Sequence, residues 1–116
     1  FHSGQKLHRP EEFSSVMAAR KVVRGVCFDL HYLGTDADKG ARLGLIVPKR
    51  LARAASLRNA VKRQGREAFR MAAAGILSCD LVLRLTRPLK GVRAGDCVQH
   101  RLWRTEIEAL LGRLPT

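Results

Sequence analysis

The chain has 116 residues, 46% of them apolar and 28% charged, the composition of one globular domain that buries roughly two-thirds of its unfolded surface and not of a disordered tail. Its formal net charge of +12 narrows the partners to RNA, DNA or an anionic membrane. No apolar run approaches membrane-spanning length and no signal-peptide pattern is visible, so no membrane partner is expected.

Residues 1–8 are polar and basic and read as a flexible extended arm. Arg9-Pro10-Glu11-Glu12 is a helix entrance, with Pro at the first position and acids in the first turn. Phe13, Val16 and Met17 give the i, i+3, i+4 stripe of a short helix that ends near Arg20. Residues 21–23 form a short extended segment that Gly25 interrupts. Residues 26–33 (VCFDLHYL) alternate as a strand, with Phe28, Leu30 and Tyr32 toward a core and Cys27, Asp29, His31 and Leu33 on the other face. Residues 34–40 supply a turn, and residues 42–47 (RLGLIV) a second strand, expected to pair with the first as a hairpin and to end at Pro48. A basic crossover, 48–55, leads into the main helix, which runs to about Gly75. Gly65 inside that helix costs about 1 kcal/mol relative to Ala, which implies close approach of a neighbouring element. Residues 80–86 (DLVLRLT) are a further strand and 90–95 a Gly-rich basic loop. Asp96 caps a last helix, 97–111, with Val98, Leu102, Trp103, Ile107, Leu110 and Leu111 as its apolar residues; Gly112 and Pro115 stop it. Strands interspersed with helices in this order indicate an α+β fold.

The stretch that organises the rest is 52–71, ARAASLRNAVKRQGREAFRM. On a helical wheel with Arg58 at zero, Lys62, Arg66, Asn59, Arg70 and Arg63 fall within about 140°, and Phe69 sits at the edge of that arc. Leu57, Ala60, Val61, Gln64, Gly65, Ala68, Met71 and Ala72 fill the opposite side, between about 200° and 340°. Arg58, Lys62, Arg66 and Arg70 are spaced four apart, so the helix tolerates like-charge repulsion along its own surface. A helix needing only solubility would interleave acids with bases. The crossover adds Lys49, Arg50 and Arg53 without one acid, and Ser56 is placed to cap the helix. A phosphate backbone is the partner that such an arc favours.

The residues offer no catalytic constellation. Glu67 is a lone carboxylate among cations and reads as an ion-pair partner, and His31 has no second group beside it. There are no paired carboxylates for two metal ions. Cys27, Cys79 and Cys97 form no C-x-x-C pair and the histidines complete no zinc set, so the reading is of buried or half-buried reduced thiols in a cytoplasmic protein that holds no metal by itself. A DNA-binding helix is disfavoured, because an arc of Arg and Lys with one Asn suits phosphates better than base edges.

Two motifs resemble those of one family. Arg42-Leu43-Gly44-Leu45-Ile46-Val47-Pro48-Lys49-Arg50, followed by Ala55-x-x-Arg58-Asn59-x-x-Lys62-Arg63-x-x-Arg66, is similar to the strand and RNR motif of the bacterial ribonuclease P protein subunit. Phe13 and the strand at Asp80 match as well, so the resemblance covers most of the chain. It implies a compact α-β-β-β-α-β-α fold with a mixed sheet and a left-handed βαβ crossover. It implies partnership with a catalytic RNA and with precursor tRNA, whose 5′ leader is removed using magnesium ions held by the RNA. Lys49, Arg50, Arg53, Ala55, Arg58, Asn59, Lys62, Arg63, Arg66 and Arg70 would then be the RNA-binding residues. Phe13, Met17 and His31 would line a leader cleft; Met17 stands where many members carry a second Phe, and His31 where the family's cleft Tyr falls. From the residues alone, Phe13 and Met17 are core positions of an amphipathic helix. The other reading is a ribosomal or general RNA-binding protein of similar fold without a processing role.

Overall fold

The computed structural model describes residues 5–35, 40–76 and 78–115. The elements are α1 (Pro10–Ala18), β1 (Val22–Arg24), β2 (Phe28–Gly34), β3 (Arg42–Ile46), α2 (Ala55–Ala72), β4 (Cys79–Leu85) and α3 (Cys97–Gly112), with a 3-10 turn, Ala73–Gly75, extending α2. This is the expected element order and an α+β fold. Most of the turn read over 34–40 lies outside the described residues, as does the first half of the arm.

The strand order is β1-β2-β4-β3, which corrects the hairpin expected between β2 and β3. Instead β4 lies between them, antiparallel to β2 and parallel to β3. The physical reason is burial. Leu81, Val82 and Leu83 are consecutive and all buried, and a strand apolar on both faces is satisfied only in the middle of a covered sheet. The tight antiparallel partner of β2 is β1. There the backbone N–H of Cys27 and of Phe28 both donate to the Glu106 carboxylate of α3, at 2.9 and 2.8 Å to Oε2.

Side chains on one face of the sheet (Phe28, Leu30, Leu81, Leu83 and Leu85) pack against Leu57, Val61 and Phe69 of α2 and Trp103, Ile107 and Leu110 of α3. Gly65 lets α2 lie flat on this face: a β carbon there would sit 2.9 Å from Leu45 Cδ2 and 3.1 Å from Leu83 Cδ2. The close approach inferred from its position is therefore made by β3 and β4. Phe69 is fully buried, not at the edge of the basic arc. With Gly65 and Phe69 both inward, the buried arc of α2 is turned by roughly 40–60° toward Arg58 relative to the wheel. On α3, Val98 and Leu102 are exposed, because they lie roughly 150° and 110° from the middle of the stripe of Trp103, Ile107 and Leu110. Cys97 is exposed too, while Cys27 and Cys79 are half-buried as expected.

The opposite face of the sheet is covered by α1. Val16 packs with Val82 and Leu7, flanked by Phe13, Met17, Leu33 and Ile46. The arm is therefore docked at its end: Leu7 is buried, its N–H donates to the Leu43 carbonyl at 3.1 Å, and Lys6 bridges to Leu43. One guanidinium ties this layer down. Arg42 donates from Nε and Nη2 to the two Asp80 oxygens, each at 2.8 Å, and from Nη1 to Glu12 Oε2 at 2.7 Å. Glu12 also accepts the His8 and Arg9 backbone N–H groups at 2.8 and 2.9 Å. Those two backbone donors, aided by Arg42, lower its pKa to about 2. Thus α1, β3 and β4 meet at a single side chain.

Candidate nucleic-acid interface

The loop between β3 and α2 sets the site. Pro48 accepts from the Leu51 and Ala52 N–H groups at 3.0 and 3.1 Å, making a turn that buries Leu51 and Ala52. Lys49, Arg50 and Arg53 are left exposed on its rim. The helix cap is Ala54, with no side-chain hydrogen bond, so Ser56 does not cap; it lies inside the first turn and is exposed. The helix starts at Ala55, two residues earlier than a Ser56 cap requires. No acid stands in the first turn, so the positive end of the helix dipole adds to the cations of the loop.

Along α2 the named residues separate into three groups. Ala55, Asn59 and Arg63 are exposed and Lys62 and Arg66 half-buried, and none of the three cations forms an ion pair among the described residues. Arg70 is exposed but paired, donating to Glu67 Oε2 at 2.9 Å. That contact makes Glu67 the ion-pair partner the sequence indicated and holds its carboxyl below the usual range. Arg58 is engaged inward. Its Nη1 donates to the carbonyls of Ala52 at 3.0 Å and Arg53 at 2.7 Å, so it braces the loop that carries Lys49, Arg50 and Arg53. The rotation of α2 accounts for this: Arg58 sits at the margin of the buried arc, where its fork reaches the preceding turn.

A polar groove of about 1280 Å³ runs between α2 and the start of α3, bordered by Asn59, Arg63, Arg66, Gly95, His100 and Arg104. Arg104 donates to Gln64 Oε1 at 3.2 Å across it. His100 and Arg104 were not legible as site residues, since α3 shows no basic periodicity. The groove brings cations of two helices to one concave surface, which suits a phosphate backbone.

Phe13, Met17 and His31 lie on the other side of the sheet. Phe13 and Met17 are half-buried beside Val16 and Val82. A β carbon on Gly44 would overlap the Phe13 ring, so the ring rests directly on the β3 backbone. His31 pairs in register with Val82, and both its ring nitrogens are buried without a hydrogen-bond partner. Burial first, then the Arg84 guanidinium, hold its pKa below the usual histidine value against the pull of Asp29. Asp29, on the same face of the strand, is buried and paired with Arg24 at 3.3 Å. The named residues thus form two surfaces separated by the sheet.

Elsewhere an apolar cavity of about 740 Å³ lies between the ends of α2 and α3, bordered by Tyr32, Ala68, Met71, Ile76, Cys79 and Leu111. Its lining shares no residue with that of the polar groove. Among the described residues no three His, Cys, Asp or Glu side chains converge as a metal site would need. No helix among them is long and apolar enough to cross a membrane.

Comparison with known proteins agrees with this geometry. The sequence pattern of the family described as Ribonuclease P matches residues 1–114. The ribonuclease P protein component of Azoarcus sp. (strain BH72) is 41% identical over 115 residues, covering 99% of this chain and 90% of that one. That of Bordetella avium (strain 197N) is 38% identical over 110 residues, covering 94% and 90%. Among solved structures, the Staphylococcus aureus RNase P protein superposes with a TM-score of 0.76 at 23% identity, covering 93% of each chain. The Thermotoga maritima RNase P protein superposes with a TM-score of 0.75 at 22% identity, covering 96% of this chain and 98% of that one. The chain therefore belongs to the ribonuclease P protein family, the RNA-binding protein subunits of a tRNA-processing endonuclease.

Proposed function

We propose that this chain is the cofactor protein that binds the catalytic RNA of ribonuclease P along the outward arc of α2 and its preceding loop. In the same complex, the 5′ leader of precursor tRNA lies in the cleft between α1 and the sheet. Cutting of the leader is assigned to the RNA and to magnesium ions held by it, in the cytoplasm. The protein's part is to lower phosphate repulsion between two RNAs and to grip the leader, so that precursor is bound better than mature tRNA.

The observation that carries the reading is the unneutralised charge around α2. Lys49, Arg50, Arg53, Lys62, Arg63 and Arg66 lie on one contiguous stretch, and the sequence from Lys39 to Arg66 contains no acid. The cleft reading is supported by the half-buried Phe13 and Met17, an apolar edge beside the sheet that suits an unstacked base, with His31 behind it on the same face. The experiment is cleavage of precursor tRNA by ribonuclease P RNA at low magnesium, with and without this protein. Faster cleavage and a lower KM for leader-bearing substrate are expected with the protein. Equal rates would leave a general RNA-binding protein, and cleavage by the protein without RNA would overturn the division of labour.

A further inference from the structure

We propose that the catalytic-RNA surface extends off α2 onto the loop between β4 and α3, where Arg87, Lys90 and Arg93 join Lys49, Arg50 and Arg53 in one preorganised phosphate-binding platform. The inference rests on the proposed role in ribonuclease P and names a part of the interface that the RNR motif does not contain.

The loop is docked, not free. Leu89 donates its N–H to the Leu51 carbonyl at 2.8 Å, which joins it to the loop that carries Lys49, Arg50 and Arg53. Leu89 and Val92 pack against the main core, while Arg87, Lys90 and Arg93 are exposed. Apolar residues thus anchor the loop from inside and cations alternate outward. Its far end is held by the Asp96 N–H donating to the Arg93 carbonyl at 3.1 Å, and by His100 Nε2 against the Ala94 carbonyl. The neighbouring loop is braced in turn by the Arg58 fork on Ala52 and Arg53.

The platform is also unneutralised. No acid occurs between Leu81 and Gly95, and none of the six cations forms an ion pair among the described residues. The next acid along the chain, Asp96, is engaged as the cap of α3, accepting from Val98 and Gln99 N–H at 3.0 and 3.2 Å. A loop backbone already fixed by hydrogen bonds has less ordering left to pay for on binding than a free segment would. Neither loop carries an aromatic ring or an amide side chain, so nothing there stacks on or reads a base. The chemistry fits the phosphates of folded RNA, not the single-stranded leader. Continuity with the α2 arc assigns it to the catalytic RNA.

The test is the full-length triple variant Arg87→Gln, Lys90→Gln, Arg93→Gln, titrated against ribonuclease P RNA over a range of monovalent salt. The slope of log K against log salt should flatten by about 2–3, and affinity at low salt should fall at least about tenfold. The charge-keeping variant Arg87→Lys, Lys90→Arg, Arg93→Lys should restore both, with a thermal melt equal to wild type in each case. An unchanged slope in the Gln variant, beside a flattened one for Arg63→Gln, would overturn the platform and leave the α2 interface standing. If wild type itself shows no salt-dependent binding to the RNA, the proposed function fails first. A loss confined to precursor tRNA binding by the assembled complex would overturn the assignment to catalytic RNA.

Discussion

Replacing Arg58 with Ala separates a brace from a contact. Sequence spacing groups Arg58 with Lys62 and Arg66 as equivalent phosphate ligands, yet its Nη1 is bonded to the Ala52 and Arg53 carbonyls at 3.0 and 2.7 Å. A hydrogen bond from a charged donor contributes about 1.5–3 kcal/mol; here both bonds share one nitrogen on a half-buried side chain, so about 1–2 kcal/mol in total is reasonable. For a domain of this size that is about 4–8 °C in Tm. Arg63→Ala removes an exposed, unpaired cation and should leave stability within about 0.5 kcal/mol of wild type. It should flatten the salt dependence of RNA binding by about one counterion. The assay pairs thermal melts by circular dichroism with salt titrations of binding to ribonuclease P RNA for the two variants. Arg58→Ala is expected to melt early, whereas Arg63→Ala melts normally and binds with the flatter slope. If Arg58→Ala melts with wild type and flattens the slope as Arg63→Ala does, Arg58 is a phosphate ligand and the brace is refuted.

Glu12 gives a pH signature: its pKa is depressed from about 4.5 to about 2 in the fold. A depressed carboxylate contributes stability that is present above its unfolded pKa and lost as pH falls through the folded value. Denaturation midpoints should therefore decline between about pH 4.5 and pH 2, and Glu12→Gln should remove part of that decline; an identical decline in the variant would discount Glu12, with its backbone donors and Arg42, as its source. Gly44→Ala drives a methyl into the Phe13 ring, an overpacking that costs about 1–3 kcal/mol. Urea titration should show that loss, while RNA assembly at saturating protein stays intact. Phe13→Ala should spare assembly but reduce the preference for leader-bearing over mature tRNA, measured as the ratio of binding constants; an unchanged ratio would make Phe13 a core residue only.

Local signals carried the element order, and non-local pairing is what they could not carry. The helix over 55–72, the Asp96 cap and the Pro10 helix start each rest on contacts within one or two turns, where residue type constrains geometry directly. The turn-rich segment after Gly34 favours a hairpin of β2 with β3, whereas the buried run Leu81-Val82-Leu83 forces β4 between them. The rotation of α2 escaped the wheel for a related reason. Phe69 and Arg58 lie close together on it, and only the approach of Leu45 and Leu83 to Gly65 settles which arc turns inward. The Arg42, Glu12 and Asp80 cluster joins residues 30 and 38 positions apart, and no periodicity connects them. The basic character of the site was legible because it is a property of residue type; its division into braces, pairs and free cations was not.

The acids explain why a chain with a net charge of +12 can still fold around so many cations. Asp80 and Glu12 hold Arg42, Asp29 pairs with Arg24, and Glu67 with Arg70. Asp96 caps α3 and Glu106 holds the turn before β2. Apart from Glu67, whose pair with Arg70 is local to α2, each of these carboxylates closes a tertiary or capping contact, and none forms an ion pair with Lys49, Arg50, Arg53, Arg63, Arg87, Lys90 or Arg93. Neutralisation is therefore concentrated where it fixes the fold and withheld where α2 and the two loops meet solvent. Self-repulsion across that surface destabilises the free protein, and a bound polyanion relieves it. Under the proposed function, the free energy of RNA assembly then includes repulsion already present in the free domain as well as new contacts. The loop backbones that carry these cations are tied down by Arg58 and Leu89, which limits how far the charges can move apart before RNA arrives.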